Sequence, residues 1–191
     1  MALFGQTYQN LRDEDLMQRS AEGDKKAFKE LFTRYQPKMY RYFFRMLGQE
    51  KELANDFTQD LFLKIIEKGS LFHPEKSFSV WIYTIAGNMI KNEYRRRGRQ
   101  SQKKDWPDYF LENGLDIDLE QLDRPLFRIA MKKALDTLDD KHRNCYLLRF
   151  QEELSIQEIS EILDCPQGTV KSRLFYAMKK IVRLMKKQVL L

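Results

Sequence analysis

Three groups of side chains have types and spacings that could do chemistry. Asp56 and Asp60 stand four residues apart, so on a helix their carboxylates share a face and repel mildly, by about a few tenths of a kcal/mol. Two carboxylates alone do not make a divalent-cation site, and no glycine-rich phosphate loop accompanies them. The only cysteines, Cys145 and Cys165, form no C-x-x-C motif, and the chain has 2 histidines, so neither a zinc site nor a disulfide framework is expected. Arg95, Arg96, Arg97, Arg99, Lys103 and Lys104 place six cations within ten residues. A helix C-terminus gains from such charge, but six exceed that need, and a phosphate backbone is the natural counterpart. Lys171, Ser172 and Arg173 lie in a third, hydroxyl-rich basic group, whose donors suit guanine and phosphate. The accessible chemistry is recognition of a polyanion rather than bond-making.

The elements that must position these groups are helices. Ser155 and Glu158 form an S-x-x-E capping box, with Leu154 and Ile159 at the positions of a hydrophobic staple, so a helix begins at Ser155. Its apolar residues Ile156, Ile159, Ile162 and Leu163 keep to one face. Cys165-Pro166-Gln167-Gly168 interrupts it, and Pro166 suits the first turn of the next helix. That helix buries Val170, Leu174, Ala177 and Ile181 and leaves Thr169, Lys171, Ser172, Arg173, Phe175, Tyr176 and Lys179 on other faces. The pattern is a helix-turn-helix, whose second helix fits the major groove. The alternative is an ordinary helical hairpin with its charges facing water.

The same periodicity runs through the rest of the chain, with no β-alternating stretch, so the fold class is all-α. Residues 1–12 read as a loose lead-in and Asp13–Ala21 as a short helix. A longer helix follows Gly23-Asp24, with Pro37 marking a break or kink. Glu50–Lys68 is a helix ending at Gly69, with Ala54, Phe57, Leu61, Ile65 and Ile66 facing inward and Asp56, Gln59, Asp60 and Leu63 on another side. This acidic face is either merely solvated or meets a basic partner. Gly69–Lys76 is a loop. Ser77 opens a helix with a core stripe of Phe78, Ile82, Ile85 and Met89 and a polar stripe of Thr84, Asn88, Lys91 and Arg95. Residues 105–123 carry seven Asp or Glu and no Lys or Arg, with Pro107, Asn113 and Gly114 disfavouring a helix. They read as an acidic linker, either a self-repelling spacer or an occupant of a basic channel. Helices at about 125–137 and from Asp139 lead into the helix-turn-helix.

The totals agree. The 191 residues allow one large or two small domains, 42% hydrophobic content supports real cores, and a net charge of +6 makes a polyanionic partner plausible, against a merely basic soluble protein. Nothing resembles a signal peptide or a run of about 18 apolar residues, so a cytoplasmic location is expected.

Three stretches together resemble bacterial RNA polymerase sigma factors of the extracytoplasmic-function (ECF) type, in the sigma-70 family. They are ANDFTQDLFLKI (Ala54–Ile65), FSVWIYTIAGNMIKNEYRRR (Phe78–Arg97) and SIQEISEILDCPQGTVKSRLFYAMKK (Ser155–Lys180). Their order and the intervening linker match too, and the resemblance spans about residues 20–185. It implies a region 2 domain over 1–104, an acidic linker over 105–123 and a region 4 helix-turn-helix domain over 124–191. It implies that Asp56, Phe57, Gln59, Asp60, Phe62 and Leu63 dock the β′ clamp helices of core polymerase, the β flap being the other core contact. Trp81, Asn88, Lys91, Asn92, Arg95 and Arg96 would handle the −10 element, holding the phosphates of an opened strand and capturing an unpaired base. Trp81 could equally be packed core. Gln167, Thr169, Lys171, Ser172, Arg173, Phe175 and Tyr176 would meet the −35 element, with Gln167 and Thr169 near phosphates. The linker would thread polymerase channels as an RNA mimic, and an anti-sigma factor would hold the protein inactive. The resemblance implies no cofactor, catalytic site or small-molecule substrate.

Three positions depart from the family pattern. Asn55 replaces a common acidic residue, Gly87 lies inside a helix, and Cys165 is a poor N-cap if Pro166 is the first helical residue. Two other readings explain less. A dimeric helix-turn-helix regulator leaves the Asp56–Leu63 face, the arginine run and the acidic linker without a role. A nuclease or phosphotransferase lacks its phosphate loop and metal ligands.

Overall fold

A computed structural model describes residues 8–98 and 124–189. Among them every regular element is helical, and they divide into two compact units. The acidic linker expected at 105–123 lies outside the described residues, as do Arg99, Lys103 and Lys104.

The first unit holds α1 (Asp13–Ala21), α2 (Lys25–Met46), α3 (Lys51–Glu67) and α4 (Phe78–Arg96). Part of the lead-in is tied down. Tyr8–Asn10 form a 3-10 turn, and Arg34 on α2 donates to the carbonyls of Tyr8, Gln9 and Leu11 at 2.8–3.1 Å. Those bonds satisfy carbonyls that would otherwise need water, and the same guanidinium pairs with Asp13 at 2.6 Å and Glu30 at 2.8 Å. Asp24 caps α2, accepting from the amides of Lys26 and Ala27. Of the break or kink expected at Pro37, the break does not occur, and α2 runs through the proline. An interior proline costs about 3 kcal/mol or more. The buried stripe of Leu31, Tyr35, Met39, Tyr42, Phe43 and Met46, spanning the proline on both sides, offsets that cost.

α3 ends at Glu67, and Gly69 is not its left-handed cap. It opens a 3-10 turn, Gly69–Leu71, packed on α1. A Cβ at Gly69 would lie 3.0 Å from Met17 Cε and 3.4 Å from Ala21 Cβ, so any larger residue there would press on α1. α4 is capped twice: Ser77 Oγ accepts from the Val80 amide at 3.5 Å, and Glu14 of α1 accepts from the Phe78 amide at 3.0 Å. The core stripe of α4 is Phe78, Ile82, Ala86 and Ile90, with Tyr83 and Gly87 also buried. Ile85 and Met89, expected in that stripe, are half-buried, because the helix is rotated to bury the small Ala86 and Gly87.

The second unit holds α5 (Arg124–Asp136), α6 (Asp140–Tyr146), α7 (Ile156–Leu163) and α8 (Gln167–Val189). Ala134, Leu135 and Leu138 pack on Ala177, Ile181 and Met185. Arg143 closes the end of α5 by donating to the carbonyls of Leu135, Asp136 and Leu138. Asp139 caps α6 and also accepts from the His142 ring at 2.6 Å, which holds its carboxyl down at about 2. A π-helical turn, Leu147–Gln151, then leads into α7.

Candidate nucleic-acid interface

The first helix of the helix-turn-helix starts as its sequence dictates. The Ser155 amide donates to Glu158 Oε2 at 2.8 Å and the Glu158 amide to Ser155 Oγ at 3.2 Å, a reciprocal capping box. Leu154 and Ile159, the staple pair, are both buried. The turn is made differently from expectation. α7 stops at Asp164, which takes the left-handed conformation at φ 51, a region aspartate tolerates better than most residues. The Cys165 amide then donates back to the Ser160 carbonyl at 3.1 Å, as in a Schellman motif, and Ser160 Oγ donates to the Cys165 carbonyl at 2.7 Å. The Pro166 carbonyl accepts from Thr169 and Val170. Proline thus stands at the cap position and Gln167 is the first helical residue.

On α8, Gln167 and Lys171 are exposed, while Thr169, Ser172, Arg173, Phe175 and Tyr176 are half-buried. Ser172 Oγ donates to the Thr169 carbonyl at 3.0 Å. Arg173 is turned back toward the turn, its Nη1 donating to Cys165 Sγ at 3.5 Å. It also lies beside Cys145, whose thiol is pushed up to about 12 by burial against the smaller opposing influence of that guanidinium. Tyr176 packs edge-on against His142 at 6.2 Å and against Phe175 at 5.4 Å. Lys179 sits over the Phe175 ring. The predicted residues therefore share one helix but not one degree of access.

On α4, Asn88, Lys91, Asn92, Arg95 and Arg96 are all exposed, as the polar stripe requires. Arg95 donates to Asn92 Oδ1. Trp81 is half-buried, its ring 5.2 Å from Phe72 and 6.0 Å from Phe78, so its packing role is real whatever else it does. No atom lies within 4 Å of a Cβ built at Gly87, and α4 runs through it without a break. Sequence reasoning missed Glu93. It is only 5% exposed, and its carboxylate holds Arg96 and Arg97 while Arg97 also reaches Glu50 at the start of α3. The two arginines hold its carboxyl down at about 2. The i, i+3 and i, i+4 spacing of Glu93 to Arg96 and Arg97 was the available signal.

On α3, Asp56, Gln59, Asp60 and Leu63 are exposed along one side, and Phe57 is half-buried against Phe43. Two expectations fail here. Phe62, expected on the outer surface, is 4% exposed because it sits 4.7 Å from Phe32 and 6.2 Å from Phe28. Ile66, expected to face inward, is 58% exposed and extends the apolar end of the outer face beyond Leu63. Phe32 is itself 41% exposed. Among the described residues no group of three or more His, Cys, Asp or Glu side chains could hold a metal ion, and no helix is long and apolar enough to cross a membrane.

Comparison with known proteins adds an independent line. Residues 31–100 match the Sigma-70 region 2 family and residues 134–182 match Sigma-70, region 4. The chain is similar to the ECF RNA polymerase sigma-E factor of Haemophilus influenzae, 34% identical over 182 residues, covering 91% of this chain and 95% of that protein. It is similar to the RNA polymerase sigma-H factor of Pseudomonas aeruginosa, 31% identical over 178 residues, 89% of this chain and 92% of the relative. Among solved structures it resembles the sigma factor RpoE of Bartonella quintana, crystallised with the anti-sigma factor NepR, at a TM-score of 0.65 and 26% identity over 84% of this chain and 98% of that one. With both regions present in order, and relatives matched over nearly their whole length, the chain belongs to the ECF sigma factors of the sigma-70 family.

Proposed function

We propose that this chain binds core RNA polymerase and directs promoter-specific initiation through two separate DNA readers. The observation that carries the proposal is the exposed row Asn88, Lys91, Asn92, Arg95 and Arg96 on α4, borne on the same chain as a capped helix-turn-helix. The first is a basic helix end suited to the phosphates of an opened strand, and the second is a helix shaped for the major groove. Neither needs a second copy of the chain to complete it.

The roles follow the two units. Residues 1–104 act as the region 2 domain. Its Asp56, Gln59, Asp60 and Leu63 face meets the β′ clamp helices, with Phe57 and Phe62 supporting that face from beneath. The acidic pair finds basic partners there, which removes its mutual repulsion. α4 handles the −10 element through Asn88, Lys91, Asn92, Arg95 and Arg96, with Trp81 bracing its start. Residues 105–123 are the acidic linker that threads polymerase channels. Residues 124–191 act as the region 4 domain and place Gln167, Thr169, Lys171, Ser172, Phe175 and Tyr176 at the −35 element, with Arg173 shaping the turn as well as meeting DNA. Ile129 and Phe150, 53% and 50% exposed, give that domain an apolar surface for the β flap. The protein acts in the cytoplasm as a specificity subunit with no catalytic site of its own. Its relative's complex with an anti-sigma factor supports control by such a partner.

Run-off transcription tests the reading. Purified chain added to core polymerase should confer initiation at defined promoters on a genomic template library. Failure of core to bind it, or initiation no more specific than core alone, overturns the proposal. Binding to a palindrome as a dimer, without polymerase, would favour a conventional regulator.

A further inference from the structure

The end of α4 carries a buried carboxylate among its cations. Glu93 Oε2 accepts from Arg96 Nε at 2.8 Å and Oε1 from Arg96 Nη2 at 2.9 Å; Oε1 also accepts from Arg97 Nε at 2.5 Å, and Arg97 Nη1 donates on to Glu50 at 3.0 Å. The carboxylate is 5% exposed, yet the Arg96 side chain it grips is 73% exposed. One long side chain is therefore anchored below the surface and displayed above it. Of the five N–H donors of a guanidinium, the two bonds to Glu93 use one on Nε and one on Nη2. The outer edge, formed by Nη1 and the second N–H of Nη2, keeps a fork that suits a phosphate or a base edge. A free arginine must freeze its rotamers when it binds; this one is already held.

We propose that Glu93 is a positioning residue for −10 recognition. It fixes the Arg96 guanidinium in a binding orientation and, through Arg97 and Glu50, ties that end of α4 to the start of α3. The inference rests on the reading of α4 as the −10 reader. Simple electrostatics predicts the opposite sign. A negative charge beside a DNA contact should weaken binding, so removing it should strengthen binding to every sequence alike. Positioning predicts that removing it weakens discrimination.

The experiment uses holoenzyme reconstituted from core polymerase and the full chain. Wild-type holoenzyme selects its own −10 sequence from a duplex library randomised across that element. Its affinity for the selected sequence and for a scrambled one is then measured with wild type, Glu93→Gln, Arg96→Ala and the double variant. We expect Glu93→Gln to lower the ratio of the two affinities by roughly 5–10-fold, the low end of what loss of a specific arginine contact costs. In the Arg96→Ala background the same change should cost little more. Glu93→Asp should recover part of the ratio. An equal gain on both sequences, or an equal loss with and without Arg96, overturns the proposal. So does a loss that tracks a fall in holoenzyme assembly or melting temperature across the variants. If wild-type holoenzyme selects no −10 sequence at all, the sigma reading fails instead, and the two failures are distinct.

Discussion

At two glycines a single methyl group should act in opposite directions. At Gly69 a new Cβ would press on Met17, whose side chain is 1% exposed and has little room to move. Gly69→Ala should cost about 1 kcal/mol, as overpacking does. At Gly87 a Cβ meets nothing within 4 Å inside a continuous helix, and Gly87→Ala should gain about 0.5–1 kcal/mol. Denaturant unfolding of the intact chain reads both, and equal effects would contradict the packing. Glu93 adds a pH dependence. Its folded-state value of about 2 lies below the ordinary 4.5, so its stabilisation is fully present above 4.5 and is lost as pH falls toward 2. Between those limits wild-type stability should fall more steeply than that of Glu93→Gln, and parallel curves would mean the arginine pairs contribute nothing. Legibility at this scale followed range. The Ser155–Glu158 box was readable because both partners lie within one turn, and Glu93 was equally readable on spacing but was overshadowed by the cations around it. Gly69 was not, because its constraint comes from α1, some fifty residues earlier in the chain.

Helix periodicity decides which residues share a stripe, but the neighbouring helix decides how the stripe is turned. α3 shows this best. Its exposed row of Asp56, Gln59, Asp60 and Leu63 emerged from spacing alone, whereas the fates of Phe62 and Ile66 depended on Phe28 and Phe32 of α2 covering one and leaving the other. No local signal carries that choice. The same limit left a break or a kink open at Pro37, and the buried residues either side of it decide for a continuous α2. Paired substitutions separate support from contact. Phe62→Ala should cost about 3 kcal/mol of stability, as aromatic truncation in a core does. Leu63→Ala should leave stability within about 0.5 kcal/mol yet weaken core polymerase binding. Asp60→Lys should weaken it further, by about tenfold or more as like charges meet, with the helical circular dichroism unchanged. Loss of helical signal in Asp60→Lys would assign that face to the fold rather than to a partner.

For the molecule as a whole, the proposed division of labour between two readers has a consequence that a single helix-turn-helix would not. Under the proposed function each unit reads one element, so the separation of the two elements must be matched by the separation of the two readers. Polymerase must supply it by holding both units. Promoter activity should then depend on the separation of the −10 and −35 elements in steps of the DNA helix. Inserting about 5 base pairs turns one element to the opposite face of the duplex and should abolish initiation. Inserting about 10 restores the face but not the distance, and should recover little. A dimeric regulator bound to two half-sites would recover at the full turn, because its register repeats every 10–10.5 base pairs or so. A reader that used only the helix-turn-helix would ignore both insertions. Initiation measured on a promoter series with these spacings, with one chain per polymerase confirmed by mass, distinguishes the three. Indifference to spacing would mean that the basic end of α4 binds DNA without reading it.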